Sequence, residues 1–240
     1  MSNTTDSKTT SKLSDLRRSL SDAAGTIVFG MEDGTVSIFG LIFGVAATTN
    51  DSVAILVAGT SGAAAAAVSM MAGSYLDSET SDAQSKASRD RLERDLTADP
   101  ASASALVTTR LAQAALTPEQ STALARAVKD NPDAQRGLLF ALLAPSNSAT
   151  SPTVQALWML FADFLSAAVP ILPFVLLPVP RARIVSAVVT LLLLILLGYG
   201  RAKVANSGVL RTIVETVSIG IVAAVAGVGI GVWIQKLFGG

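Results

Sequence analysis

Five apolar stretches constrain the fold of this 240-residue chain more than any other feature of its sequence. Each has the composition of a helix that crosses the hydrocarbon core of a bilayer, and they cover residues 25–47, 52–76, 154–177, 184–199 and 213–237. Half of all residues are hydrophobic, the mean hydropathy is +0.53 and only 15% are charged, values typical of a chain that lies largely in lipid. The sequence therefore predicts an all-α, polytopic membrane protein with five transmembrane helices.

The composition divides the chain into four parts. We expect a disordered to amphipathic amino-terminal segment, transmembrane helices 1 and 2, a small three-helix insertion, and transmembrane helices 3 to 5, at residues 1–24, 25–76, 77–151 and 152–240 respectively. The first helix of the insertion is predicted to continue the second span. Within the insertion, Thr117 before Pro118 has the character of an N-cap, so a helix should begin there.

The first two spans carry acids and methionines at a depth where a membrane helix rarely has them. At 1.5 Å per residue, Asp33 lies about 12 Å and Met70 about 9 Å from the same membrane face, because the two helices are antiparallel. Glu32 and Met71 adjoin them in the chain. An ionisable residue at this depth is costly and marks a functional site, so we predict a site at which a carboxylate and a thioether lie at one level.

Small residues recur at close-packing spacing in several spans. Gly30 with Gly34 and Gly40 with Gly44 have the small-xxx-small pattern that lets helix backbones approach in lipid. We expect these pairs to bring the first helix against the second, which has its own small residues. The fifth span has a similar small-residue face, formed by Gly220, Ala224, Gly227 and Gly231.

The chain contains neither cysteine nor histidine. A metal would therefore be held by carboxylates, hydroxyls, carbonyls and methionine sulfur, which favours ferrous iron or manganese over zinc or copper. A nucleophile–base pair with His or Cys is impossible, and no glycine-rich phosphate loop follows a strand, so we expect no enzyme and no cofactor. The net charge of zero gives no indication of a nucleic-acid partner.

The third and fifth spans contain further ionisable residues. Asp163 lies deep in the third span, where two functions stay open: proton coupling, or a hydrogen-bond network between helices. Pro170 and Pro173 bend this span either beside a pore or simply at its outer end. In the fifth span, Glu215 is expected to pair with Arg211 four residues earlier.

Three motifs resemble the first three membrane helices of the vacuolar iron transporter family, whose members are proton-coupled exporters of ferrous iron and manganese. They are DGTVSIFGLIFGVAA, ILVAGTSGAAAAAVSMMAGSYLD and FADFLSAAVPILPF. The resemblance implies a homodimer, joined through helices 1 and 2, with a translocation path near the dimer axis. Asp33 and Met70 match the positions at which the family binds the metal, and Glu32 and Met71 are added as neighbouring candidates.

The insertion departs from the pattern of this family, in which a cluster of glutamates collects metal. Weak candidate ligands remain at Asp77, Glu79, Asp82 and Glu93. Three arginines lie among or beside these acids, so we interpret the charges mainly as a solvated helix surface. In addition, Ser74 stands where the family has a glutamate.

The positive charges predict the orientation. If the amino terminus is cytoplasmic, all but three of the 18 lysines and arginines fall on the inner side, and only Arg181, Arg183 and Lys236 fall outside. The insertion is then cytoplasmic and the carboxyl terminus external, in the cell membrane of a prokaryote. We predict proton-coupled export of Fe²⁺ or Mn²⁺; the alternative is a non-transporting scaffold or regulatory relative.

Overall fold

The computed structural model describes residues 23–98, 106–111, 116–129, 131–143 and 151–238. Within these residues, seven helices have both ends defined: α1 Ala24–Thr48, α2 Ser52–Ala98, α3 Pro118–Val128, α4 Pro132–Leu143, α5 Pro152–Leu176, α6 Val179–Val204 and α7 Val209–Phe238. Residues 106–111 are also helical, and the described ranges contain no strand. The segment predicted for residues 1–24 lies outside the described residues except for its last two positions.

Five of the helices, α1, α2, α5, α6 and α7, are long and apolar enough to cross a membrane. The predicted all-α fold with five spans is therefore confirmed, and the chain is an integral membrane protein. Apart from α2, whose continuation beyond the second span was predicted, the largest difference from the predicted bounds is in α6, which extends several residues beyond the apolar stretch at both ends. Its first and last turns contain arginine and lysine, which hydropathy alone does not include in a span.

The chain forms two compact units, Met1–Leu76 with Thr150–Gly240, which we name the membrane unit, and Asp77–Ala149, which we name the insertion. Helix α2 runs without a break beyond Leu76, as predicted. The insertion has its own apolar cluster, in which Leu96 packs with Leu111 and Leu139. The predicted helix start is confirmed at α3, where Thr117 Oγ1 accepts from the backbone N–H of Gln120 at 3.3 Å.

Helix α1 lies at the centre of the membrane unit and packs most extensively against α5 and α7. Gly44 shows how close the approach to α7 is, because a Cβ there would lie 3.0 Å from the carbonyl carbon of Gly227. Gly40 likewise faces the backbone of Ala223. The prediction that Gly40 and Gly44 bring α1 against α2 was wrong, because the matching glycines of α7 let those two backbones meet instead.

Helix α2 meets α1 through side chains rather than through facing backbones. Gly59 of α2 lies beneath Ile42, and Gly62 lies against Leu41. The apolar core shared by α1, α2 and α5 includes Ile42 and Phe174, which are almost completely buried. This contact fixes which face of α1 is turned toward α2.

Arg183, near the start of α6, binds the carboxyl-terminal end of α1. Its guanidinium donates to the carbonyl oxygens of Ala46 and, at 3.1 Å, of Thr49, and to Asn50 Oδ1 at 3.0 Å. A cation here satisfies carbonyls that the end of a helix leaves without partners and opposes the negative end of its dipole. The turn between α1 and α2 is thereby attached to α6.

Candidate functional site

A cavity of about 450 Å³ lies in the membrane unit between α1, the end of α6 and α7. Its lining is mostly apolar and comprises Gly25, Val28, Phe29, Glu32, Asp33, Val36, Arg201, Val204, Ala205 and Ile219. The charged groups in this lining are two adjacent carboxylates on α1 and one guanidinium on α6. The cavity therefore has an excess of negative charge when both carboxyl groups are ionised.

Glu32 is neutralised within the fold. It is only 8% exposed, and its Oε1 accepts from Arg201 Nη1 and from Thr216 Oγ1, each at 3.0 Å. The ion pair and the hydroxyl join α1 to α6 and α7. Glu32 was predicted as a candidate metal ligand, and its pair with Arg201 was not predicted, because the two residues are 169 positions apart in the chain.

Asp33 is half-buried and borders the same cavity. Its carboxylate has no hydrogen bond or ion pair within the part of the chain that the structure describes. Glu32 beside it has the same charge, so Asp33 is in an unfavourable electrostatic position when ionised. Of the two adjacent carboxylates, Asp33 is the one available to bind a cation.

Asp163 of α5 is fully buried, with 0% of its surface exposed. Neither of its carboxylate oxygens has a hydrogen-bond partner among the described residues. Its side chain lies against Gly34, and its carboxylate repels that of Asp33. The hydrogen-bond network that was one predicted function of Asp163 does not reach this carboxylate within the described ranges.

Met70 and Met71 are half-buried on α2. The contacts of Gly59 and Gly62 define an antiparallel register, and continuing it places Met70 within about one helical turn of the level of Asp33. Asp33 borders the cavity between α1, α6 and α7, and neither methionine is among the residues that line it. The predicted Asp33–Met70 site stays a prediction.

The acids proposed as weak ligands in the insertion all lie on α2. Asp77, Glu79 and Glu93 are exposed, and Asp82 is half-buried. Throughout the described residues, no group of three or more acidic side chains converges in an arrangement that could hold a metal ion. These four acids remain predictions.

Comparison with known proteins gives matches that extend over most of the chain. The profile described as the VIT family matches residues 24–232. The "Vacuolar iron transporter 1" of Arabidopsis thaliana is 28% identical over 203 residues, which are 83% of this chain and 81% of that protein. The "Vacuolar iron transporter 1" of Eucalyptus grandis is 26% identical over 213 residues, 88% of this chain and 86% of its own length.

A third similar protein is the "Vacuolar iron transporter" of Centaurea cyanus, 26% identical over 164 residues, which are 68% of this chain and 67% of that protein. All three relatives are plant proteins named for the vacuole. They lend no support to the prokaryotic cell membrane expected from the sequence.

Proposed function

Because this chain belongs to the VIT family, we propose that it transports a divalent transition metal ion, ferrous iron or manganese, across a membrane. The observation that carries the proposal is Asp33, a carboxylate that borders a membrane cavity without a hydrogen-bond or ion-pair partner in the described chain. A carboxylate is rarely kept in this position unless it has a cation to bind. The names of the relatives, which are iron transporters, support the same class of cargo.

The choice of cargo follows from the available ligands. Without cysteine or histidine, the chain offers oxygen ligands and methionine sulfur. Oxygen ligands suit manganese, and a weak thioether ligand from Met70 or Met71 would favour a transition metal over calcium or magnesium. We propose Asp33 as the principal ligand and Met70 as its softer partner, while Glu32 stays bound to Arg201.

Proton coupling is the mechanism that we propose for the transport. An ionised carboxylate in a low-dielectric site is costly, so Asp33 and Asp163 each gain by binding either a proton or a metal cation. Competition between the two couples metal movement to proton movement in the opposite direction. The unequal distribution of lysine and arginine supports export from the cytoplasm.

We further propose that two copies assemble through α1 and α2. Helix α2 exposes apolar side chains along its membrane part, among them Val53, Val57 and Val68, which are 66%, 60% and 55% exposed. A second copy would cover part of this surface, and lipid would cover the remainder.

A transport assay with the purified protein in liposomes tests the proposal. We expect entry of Mn²⁺ and Fe²⁺ above the rate of protein-free liposomes, faster when a pH gradient drives protons in the opposite direction. Metal entry should also dissipate that gradient, which a pH-sensitive dye inside the liposomes reports. The absence of metal flux for both ions would contradict the proposal and support the non-transporting scaffold instead.

A further inference from the structure

We infer that Asp163 is a ligand of the transported cation and forms an oxygen site with Asp33 between α1 and α5. The inference rests on the proposed function and deepens it, because it names a cation ligand on the third span. It differs from the Asp33–Met70 pair in placing the second ligand on α5 rather than α2. The structure supports it through position, burial and ligand chemistry.

The position of Asp163 next to α1 depends on Gly34, the residue after Asp33. A Cβ at Gly34 would lie 2.8 Å from Asp163 Oδ1 and 2.8 Å from Ser166 Oγ, and it would collide with the carbonyl oxygen of Asp163. The missing side chain therefore lets α5 bring its carboxylate against the turn of α1 that carries Asp33. Because Asp33 is the residue before Gly34, the two carboxyl groups lie at nearly the same level along α1.

Burial makes the arrangement unstable unless a cation or a proton is present. Asp163 is 0% exposed, and both of its oxygens lack a hydrogen-bond donor in the described part of the chain. Arg201, the cation in the lining of the cavity that Asp33 borders, already binds Glu32 at 3.0 Å. An uncompensated buried carboxylate costs several kcal/mol by the usual scale, so Asp163 gains by taking up a proton or a cation.

The ligand chemistry identifies the class of cation. Two carboxylates, with the hydroxyl oxygen of Ser166 beside them, are hard oxygen donors. Oxygen donors suit Mn²⁺, whereas Mg²⁺ gives up its water reluctantly and needs nearly ideal octahedral geometry. Mn²⁺ alone is therefore the probe for this site, and its binding should depend on Asp163 more than on Met70.

The test measures Mn²⁺ binding by isothermal titration for the wild type, Asp33→Asn, Asp163→Asn and Met70→Leu. The matched control is Glu215→Gln, which removes a membrane-helix acid that is paired with Arg211 and lies outside the cavity. We expect Asp163→Asn and Asp33→Asn each to weaken Mn²⁺ binding about tenfold or more, as losses at a metal site generally do. Met70→Leu should have the smaller effect, and Glu215→Gln none.

Thermal unfolding provides a readout that does not depend on transport. Mn²⁺ should raise the melting temperature of the wild type, because a ligand that binds only the folded state stabilises it. Mn²⁺ should not raise the melting temperature of Asp163→Asn. In the absence of metal, this variant should be at least as stable as the wild type, because the amide removes a buried charge. If the Asn variant does not yield folded protein, Asp163→Ser takes its place.

The failures of the inference and of the proposed function are distinguishable. Unchanged Mn²⁺ affinity in Asp163→Asn, together with lost binding in Asp33→Asn, would overturn the role of Asp163 and leave transport intact. No saturable binding of Mn²⁺ or Fe²⁺ by the wild type, with no flux in liposomes, would overturn both.

Discussion

The carboxylate of Glu32 lies 3.0 Å from a guanidinium nitrogen of Arg201, and this ion pair joins the first membrane helix to the fourth. The next residue, Asp33, borders the same cavity and has no such partner within the described ranges. The two adjacent carboxylates thus have different environments: the charge of Glu32 is paired with a cation, and the charge of Asp33 is not paired within the described residues. The difference supports a structural function for Glu32 and is the reason that we propose Asp33 as the cation ligand.

Replacement of Arg201 by glutamine should destabilise the membrane unit. Glu32 would stay buried without its cation, with Thr216 as a neutral donor, and loss of one partner of a buried charged group costs about 1–3 kcal/mol. The melting temperature of the detergent-purified variant measures the loss. Arg211→Gln is the control, because the Arg211–Glu215 pair is exposed, with 85% and 45% of its side chains accessible, and such pairs contribute roughly 0–1 kcal/mol. Equal effects of the two variants would contradict the structural function of Glu32.

Alanine at Gly227 should weaken the packing of α1 against α7. The new Cβ would collide with the backbone of Gly40, and overpacking of this kind costs about 1–3 kcal/mol. Gly229→Ala is matched in helix and chemistry, but nothing lies within 4 Å of its Cβ position. Unfolding in a graded denaturing detergent compares them. A stability loss in the Gly229 variant equal to that in the Gly227 variant would show that helix contact is not the cause.

Loss of the Arg183 side-chain charge should release the turn between α1 and α2. In Arg183→Met the carbonyls of Ala46 and Thr49 lose their donor and the dipole of α1 loses its cation, at a cost of about 1–2 kcal/mol. Amide hydrogen exchange in residues 45–51 should become faster. The exposed neighbour Arg181 provides the control as Arg181→Met. Unchanged exchange in the Arg183 variant would argue against this attachment.

Alanine at Thr117 should loosen the start of α3 without affecting the membrane unit. The hydroxyl accepts from Gln120 N–H at 3.3 Å, and Gln120 Oε1 accepts in return from Thr117 N–H at 3.0 Å. Loss of an N-cap of this kind costs about 1 kcal/mol. Hydrogen exchange should increase in residues 118–122, whereas Thr117→Ser, which keeps the hydroxyl, should behave as the wild type. Protection that is equal in the alanine and serine variants would contradict the prediction.

Local patterns in the sequence were sufficient to predict much of the fold. The length of the apolar stretches predicts the five spans, and the helix start at Thr117 depends on residues three positions apart. The Glu215–Arg211 pair, at 2.8 Å in the structure, is likewise one turn apart and was predicted correctly. Interactions of this kind are encoded by spacing alone.

Contacts between distant helices could not be predicted in this way. Small-residue spacing marks Gly44 as a close-packing position, but it does not say that the partner is Gly227 rather than α2. The pair between Glu32 and Arg201 depends on how three helices rotate about their axes, which hydropathy does not determine. The depth of Asp163 in the third span showed that its ionised side chain would be costly in lipid. Its contact with Gly34 became known only from the structure.

The measurement that tests the account most directly is Mn²⁺ transport by Asp33→Asn in liposomes, compared with the wild type and with Glu215→Gln. We predict that Asp33→Asn transports no Mn²⁺ above protein-free liposomes while it elutes at the same assembly size as the wild type, and that Glu215→Gln transports normally. Mn²⁺ transport by Asp33→Asn at the wild-type rate would contradict the assignment of Asp33 as the ligand of the transported metal.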